Sequence, residues 1–130
     1  MFSGRSVRGP AAVSIMRQGQ ALIASVHTGL DDAQLARFQS DLIHRIGERR
    51  TRMVIVDVAA LDVVDSFAAN ILGTCATIAR LQGAELTVVG IQPDVALTMV
   101  EVGLDTGPAH TALDLEDGMD YAGRPPAGPA

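Results

Sequence analysis

The chain has no lysine, no tryptophan, one cysteine (Cys75), one tyrosine (Tyr121) and three phenylalanines. Each shortage removes a class of chemistry. Without lysine there is no P-loop lysine, no Schiff-base amine and no counterpart of the lysine that a response-regulator receiver site requires. All ten basic residues are therefore arginine. At 3% aromatic content, base stacking is scarcely available for gripping single-stranded nucleic acid. A formal charge of −5 opposes binding to a phosphate backbone as well. Cys75 cannot close an internal disulfide, and one free thiol fits a reducing compartment. No stretch approaches the roughly 18 apolar residues that would cross a bilayer. Met1 to Pro10 carries Arg5 and Arg8 with no apolar segment after them, unlike a signal peptide. These absences imply a cytoplasmic protein that engages neither nucleic acid nor membrane.

What is present suits one globular domain. The chain has 130 residues, 48% of them hydrophobic, and its core must be built from Val, Ile, Leu, Ala and Met. Ala11 to Arg17 and Gln20 to His27 read as two strands of a hairpin around Gln18-Gly19. Asp31 followed by Gln34 predicts a capping box. Leu35, Phe38, Leu42 and Ile46 then recur at helical spacing, which places an amphipathic helix over Asp32 to Glu48. After the basic turn Arg49 to Arg52, Met53 to Val58 is almost wholly apolar, as a central strand is. A second helix starts at Asp65 or Ser66 and ends at Gln82-Gly83; its small apolar residues suit deep burial or a shared surface. Glu85 to Val89 reads as another buried strand, Pro93 opens a third helix that ends at Gly103, and His110 to Leu113 makes a short strand. Asp114 to Tyr121 reads as a short acidic helix. Residues 1–12 and 123–130, rich in Gly, Arg and Pro, are expected to be flexible ends around a single domain over 13–122. Alternating strands and helices predict a layered α/β sheet.

Few residues could carry catalysis. His27, His44 and His110 fall on different elements without metal-ligand spacing, so neither a metal nor a cofactor is expected. No G-x-S-x-G elbow is present. Asp57 ends a strand where a receiver phosphoacceptor would stand, but without lysine the plainer reading is a loop-bonded carboxylate. The segment Leu61-Asp62-Val63-Val64-Asp65-Ser66-Phe67 says more. Ser66 stands at a helix start, where its hydroxyl could accept a backbone N–H as an N-cap. Asp62 and Asp65 flank it, beside a helix surface of small apolar residues. A phosphate there would add about −1.5 to −2 charges. The helix dipole would favour that charge by roughly 0.3–1 kcal/mol. A partner docked on the same surface would face an unpaired buried charge costing several kcal/mol.

Four stretches carry a resemblance: Asp62 to Phe67, Gly83 to Leu86, Val89 to Thr98 (Val-Gly-Ile-Gln-Pro-Asp-Val-Ala-Leu-Thr), and His110 to Glu116. Together they resemble the STAS domain of anti-sigma-factor antagonists, and within it the small RsbS-type subunits of the bacterial stressosome. The resemblance covers about residues 12–122 and implies a mixed sheet of about five strands packed with about four helices. It implies a non-catalytic regulator whose phosphoacceptor is Ser66, with Asp62, Asp65, Phe67, Asn70 and Gln92 as partner-binding residues. The implied partners are a serine/threonine switch-protein kinase, longer STAS paralogues in an oligomeric assembly, and a phosphatase. Thr98 matches a second phosphosite of the longer paralogues; its plain reading is a helix hydroxyl bonded back to a carbonyl. Two other readings are open: a STAS module that binds a small anionic or lipid ligand in a transport-associated complex, and a hydrolase with a histidine beside Ser66.

Overall fold

The computed structural model describes residues 12–103 and 110–112. Its elements are β1 (Val13–Gln18), β2 (Ala21–Val26), α1 (Asp32–Glu48), β3 (Met53–Asp57), α2 (Ser66–Leu81), β4 (Glu85–Val89), α3 (Pro93–Val102) and β5 (His110–Ala112). They form a five-stranded sheet in the order β1-β2-β3-β4-β5. β1 pairs with β2 antiparallel, and each later pair is parallel. The expected mixed α/β sheet of five strands is thus present, with three helices among the described residues. The expected helix at 114–121, the tail and the expected flexible segment up to residue 11 lie outside those residues.

Local chemistry explains the boundaries. Gly19 takes the left-handed backbone (φ 63°) that lets β1 turn tightly into β2. α1 opens with a complete capping box: Asp31 Oδ1 accepts the Gln34 N–H at 2.7 Å, and Gln34 Oε1 accepts the Asp31 N–H at 2.9 Å. α2 closes at Gln82, with Gly83 in the left-handed region. α3 takes Pro93 as its first residue, where the missing N–H costs no helical bond, and stops at left-handed Gly103.

A sheet whose parallel strands follow one another in chain order places successive crossover helices on one side. The core shows this. Leu22, Ala24 and Val26 of β2, Val54 and Val56 of β3, and Leu86 and Val88 of β4 share a cluster with Phe38, Leu42 and Ile46 of α1. Ile71, Leu72, Cys75, Ala76 and Ala79 of α2 complete it. The small residues of α2 are what let that helix lie close to the sheet, as deep burial of its inner face requires. α3 packs on α2 through a second cluster of Val64, Ala68, Ala69, Val95 and Met99. Arg17 ties the hairpin to the far end of α1. Its guanidinium donates to the Arg45 carbonyl at 3.1 Å and to Thr51 Oγ1 at 2.9 Å.

Cys75 is fully enclosed in the core, and burial pushes its thiol up to about 12. A raised pKa means the fold holds the neutral thiol, so Cys75 imposes no penalty below about pH 9. Stability falls as pH climbs from 9 toward 12, where only the unfolded chain ionises freely. In the native chain at pH 8, a disulfide reagent should therefore react with Cys75 at least about a hundred-fold more slowly than in the urea-unfolded chain. Equal rates would show that the core opens locally around α2.

Candidate functional site

The loop from β3 to α2 is fixed at both ends. At its start, Asp57 Oδ1 accepts the Ala59 N–H at 2.9 Å, the loop-bonded role read from the sequence. The Val58 N–H donates to the Val89 carbonyl at 3.0 Å. Val64 then turns into the α2–α3 cluster and anchors the far end. Between these anchors Asp62 and Val63 are exposed, Val63 to 73%.

The sequence makes Ser66 the expected cap of α2, but the structure gives that role to Asp65. Its backbone is extended, and Oδ1 accepts the Ala68 N–H at 2.8 Å. Ser66 is the first helical residue. Its side chain is exposed, and no hydrogen bond engages its hydroxyl among the described residues. The two readings of this serine therefore separate: capping falls to its neighbour, and the serine hydroxyl is left facing solvent. The N–H groups of Ser66 and Phe67 belong to the first turn, which has no intrahelical acceptors, so they leave partial positive charge beside that oxygen.

The surface around Ser66 combines apolar and polar groups. Phe67 is 37% exposed, a large aromatic left half in water at the helix start. Asn70, one turn along, is exposed on the same outer stripe as Ser66, followed by exposed Thr74 and Thr77. The expected partner-binding residues Asp62, Asp65, Phe67 and Asn70 are thus brought together around Ser66. Gln92, just before α3, donates its amide to the Ala59 carbonyl at 2.8 Å and so reaches the same loop from the neighbouring strand. Thr98 is exposed on α3, and its hydroxyl donates to the Asp94 carbonyl at 3.0 Å.

Charge is sorted by the topology. The carboxyl ends of the parallel strands and the helix starts carry Asp31, Asp32, Asp57, Asp62, Asp65 and Asp94, with Arg37 in the second turn of α1. Arg17, Arg45, Arg49, Arg50, Arg52 and Arg80 lie toward the opposite end, together with Glu48, Glu85 and Glu101. His27 and His44 are engaged away from Ser66. His27 Nε2 lies 3.0 Å from Ser14 Oγ, and His44 lies 3.5 Å from Glu48. No group of three metal-ligating side chains occurs among the described residues, nor is any of their helices long and apolar enough to cross a membrane. A groove of about 430 Å³ lies between β1 and α1, lined by Val13, Ile15, Leu30, Phe38, Arg37 and Arg45 among others. It contains none of the residues around Ser66.

The model of the STAS domain matches residues 12–118. The chain belongs to the STAS domain family. Among relatives of this STAS chain, the RsbT co-antagonist protein RsbRA of Bacillus subtilis is 28% identical over 93 residues, which are 72% of this chain and 34% of the relative. The chain thus spans about a third of the length of that relative. RsbS of Moorella thermoacetica, solved as a serine-to-glutamate variant, is 31% identical with a TM-score of 0.74, covering 86% of this chain and 95% of RsbS. A chain of the stressosome, described as a signal integration and transduction hub, is 29% identical with a TM-score of 0.66, covering 84% of this chain and 95% of its own. The STAS domain is accordingly similar to RsbS and to a chain of the stressosome.

The cap assignment predicts a contrast between adjacent residues. Asp65→Ala should cost about 0.5–2 kcal/mol, because it strands the Ala68 N–H. Ser66→Ala should change stability by less than about 0.5 kcal/mol. Urea denaturation of the two variants checks this. A larger loss at Ser66 would return the capping role to the serine.

Proposed function

We propose that this STAS domain is a phosphorylation-controlled antagonist and scaffold subunit. Unphosphorylated, it retains a serine/threonine switch-protein kinase against the β3–α2 loop and the start of α2. Transfer of phosphate to Ser66 releases that kinase. The domain acts as binding surface and kinase substrate, not as catalyst, and works in the cytoplasm within an oligomeric assembly that includes longer STAS paralogues. A phosphatase resets it. Likeness to RsbS and to a stressosome chain supports the assembly and the antagonist role. The observation that carries the phosphoacceptor is the solvent-facing hydroxyl of Ser66, relieved of capping by Asp65.

Physical chemistry supplies the switching step. A kinase needs an exposed hydroxyl that is not committed to a hydrogen bond, and Ser66 meets that condition. The phosphate then adds about −1.5 to −2 charges at a helix start, where the dipole tolerates it. The domain keeps its fold. For a protein seated on Phe67, Asn70 and Asp62, with Asp65 and Gln92 framing the loop, the same charge is costly. The segment from Asp57 to Ala79 holds acidic side chains and no arginine that could neutralise the phosphate. Charge repulsion and desolvation without a compensating pair cost several kcal/mol, enough to lower affinity by two to three orders of magnitude. Thr98 has its hydroxyl bonded to the Asp94 carbonyl and is assigned no part in this step.

The runner-up reading is a STAS module that takes a small anionic or lipid ligand. Its place would be the groove between β1 and α1, where Arg37 and Arg45 border an apolar floor. Ser66 would then be dispensable.

The test is a pair of variants. Ser66→Asp should lose retention of the kinase by about a hundred-fold, with a thermal midpoint within about 2 °C of the unmodified chain. Ser66→Ala should retain the kinase and resist release by ATP. Equal retention by the two variants would refute the switch and favour the groove.

A further inference from the structure

Gln92 occupies the N-cap position of α3, yet its side chain makes no cap hydrogen bond to that helix. The amide crosses instead to the β3–α2 loop and donates to the Ala59 carbonyl at 2.8 Å, 33 residues away in sequence. Ala59 is held from other sides as well. Its N–H is bound by Asp57 Oδ1, and the neighbouring Val58 N–H by the Val89 carbonyl. Gly90 presses against it too: a Cβ on Gly90 would stand 2.8 Å from the Ala59 Cβ, and φ there is +80°. Two loops at the carboxyl edge of the sheet are thereby pinned at one residue. One carries Ser66 and the other opens α3.

From this geometry we infer that Gln92 is a positioning residue for the Ser66 loop: its amide straps Ala59 and holds Asp62, Val63 and Ser66 in the shape that the kinase engages. The inference rests on the proposed switch and deepens it, because it assigns Gln92 an action through the loop rather than through direct contact. The chemistry is specific. A side chain with an N–H donor at this reach is what ties the Ala59 carbonyl to the loop before α3, and the hydrogen bond is exposed, so its loss loosens the loop without unfolding the sheet. Leu61, whose N–H donates to the Val58 carbonyl at 2.9 Å, reports the shape of the same turn.

The experiment compares the unmodified chain with Gln92→Leu, which keeps bulk and removes the donor, and with Gln92→Ala. Amide hydrogen exchange on the free protein reads the strap. Amides at 59 and 61 should exchange roughly five-fold faster in both variants, the factor that matches one hydrogen bond of ordinary net strength, while those of β3 stay unchanged. A switch-protein kinase that phosphorylates the unmodified chain, supplied with Mg-ATP, reads the consequence. KM for the chain should rise several-fold with kcat unchanged, since the hydroxyl itself is intact. Exchange equal to that of the unmodified chain would overturn the strap. So would acceleration shared by β3, which would make Gln92 a general stabiliser. Faster exchange with unchanged KM would overturn its part in docking. Failure of the unmodified chain to take phosphate on Ser66 would instead strike the switch reading, and the exchange data would still decide the strap.

Discussion

The hydrogen bond from the Ala68 N–H to the Asp65 carboxylate decides what the adjacent serine is free to do. A helix start has four N–H groups seeking acceptors, and a short polar side chain one residue before the helix meets one of them best. Asp65 and Ser66 are both competent. Had the helix begun one residue later, Ser66 would have been the cap, with its oxygen turned inward onto the backbone of Ala69. Because Asp65 takes that position, Ser66 becomes the first helical residue and projects outward beside unpaired N–H groups. A serine in this setting is reachable by an enzyme and tolerant of added negative charge.

Topology gives the serine its company. Parallel strands in simple order carry their following loops to one edge, so the starts of α1, α2 and α3 face the same way. Helix starts favour aspartate, and the pattern repeated three times concentrates acid there while arginine collects at the other edge. A phosphate at Ser66 joins charge of its own sign, on a segment from Asp57 to Ala79 that carries no arginine. The fold tolerates it locally, through the dipole of α2, and a docked protein does not. Gly90 and Gln92 bring the neighbouring loop against Ala59, so that the surface spans two loops held in register.

Much of this was legible in the sequence. The spacing of Phe38, Leu42 and Ile46 and the Asp31–Gln34 pair place α1 to the residue, because amphipathic period and capping chemistry agree. Pro93 and Gly103 bound α3 for equally local reasons. The apolar runs of β3 and β4 mark central strands. What escaped the sequence were choices made in three dimensions. Asp65 and Ser66 each precede a suitable N–H by three residues, and only the seating of Val64 against α3 favours one register. The resemblance implies a partner contact for Gln92; its bond to Ala59 spans elements that no periodicity connects. The apolar half-exposure of Phe67 follows from where α2 begins, and so from the same choice.

The account depends on the Ser66 hydroxyl being the atom that receives phosphate. Peptide mapping by mass spectrometry, after incubation of the chain with its switch-protein kinase and Mg-ATP, tests that directly. One phosphate is predicted, on the peptide that contains Asp65-Ser66-Phe67, and none on a peptide from α3. Phosphate found only on Thr98 or elsewhere, with Ser66 unmodified while the kinase leaves the complex, would contradict it.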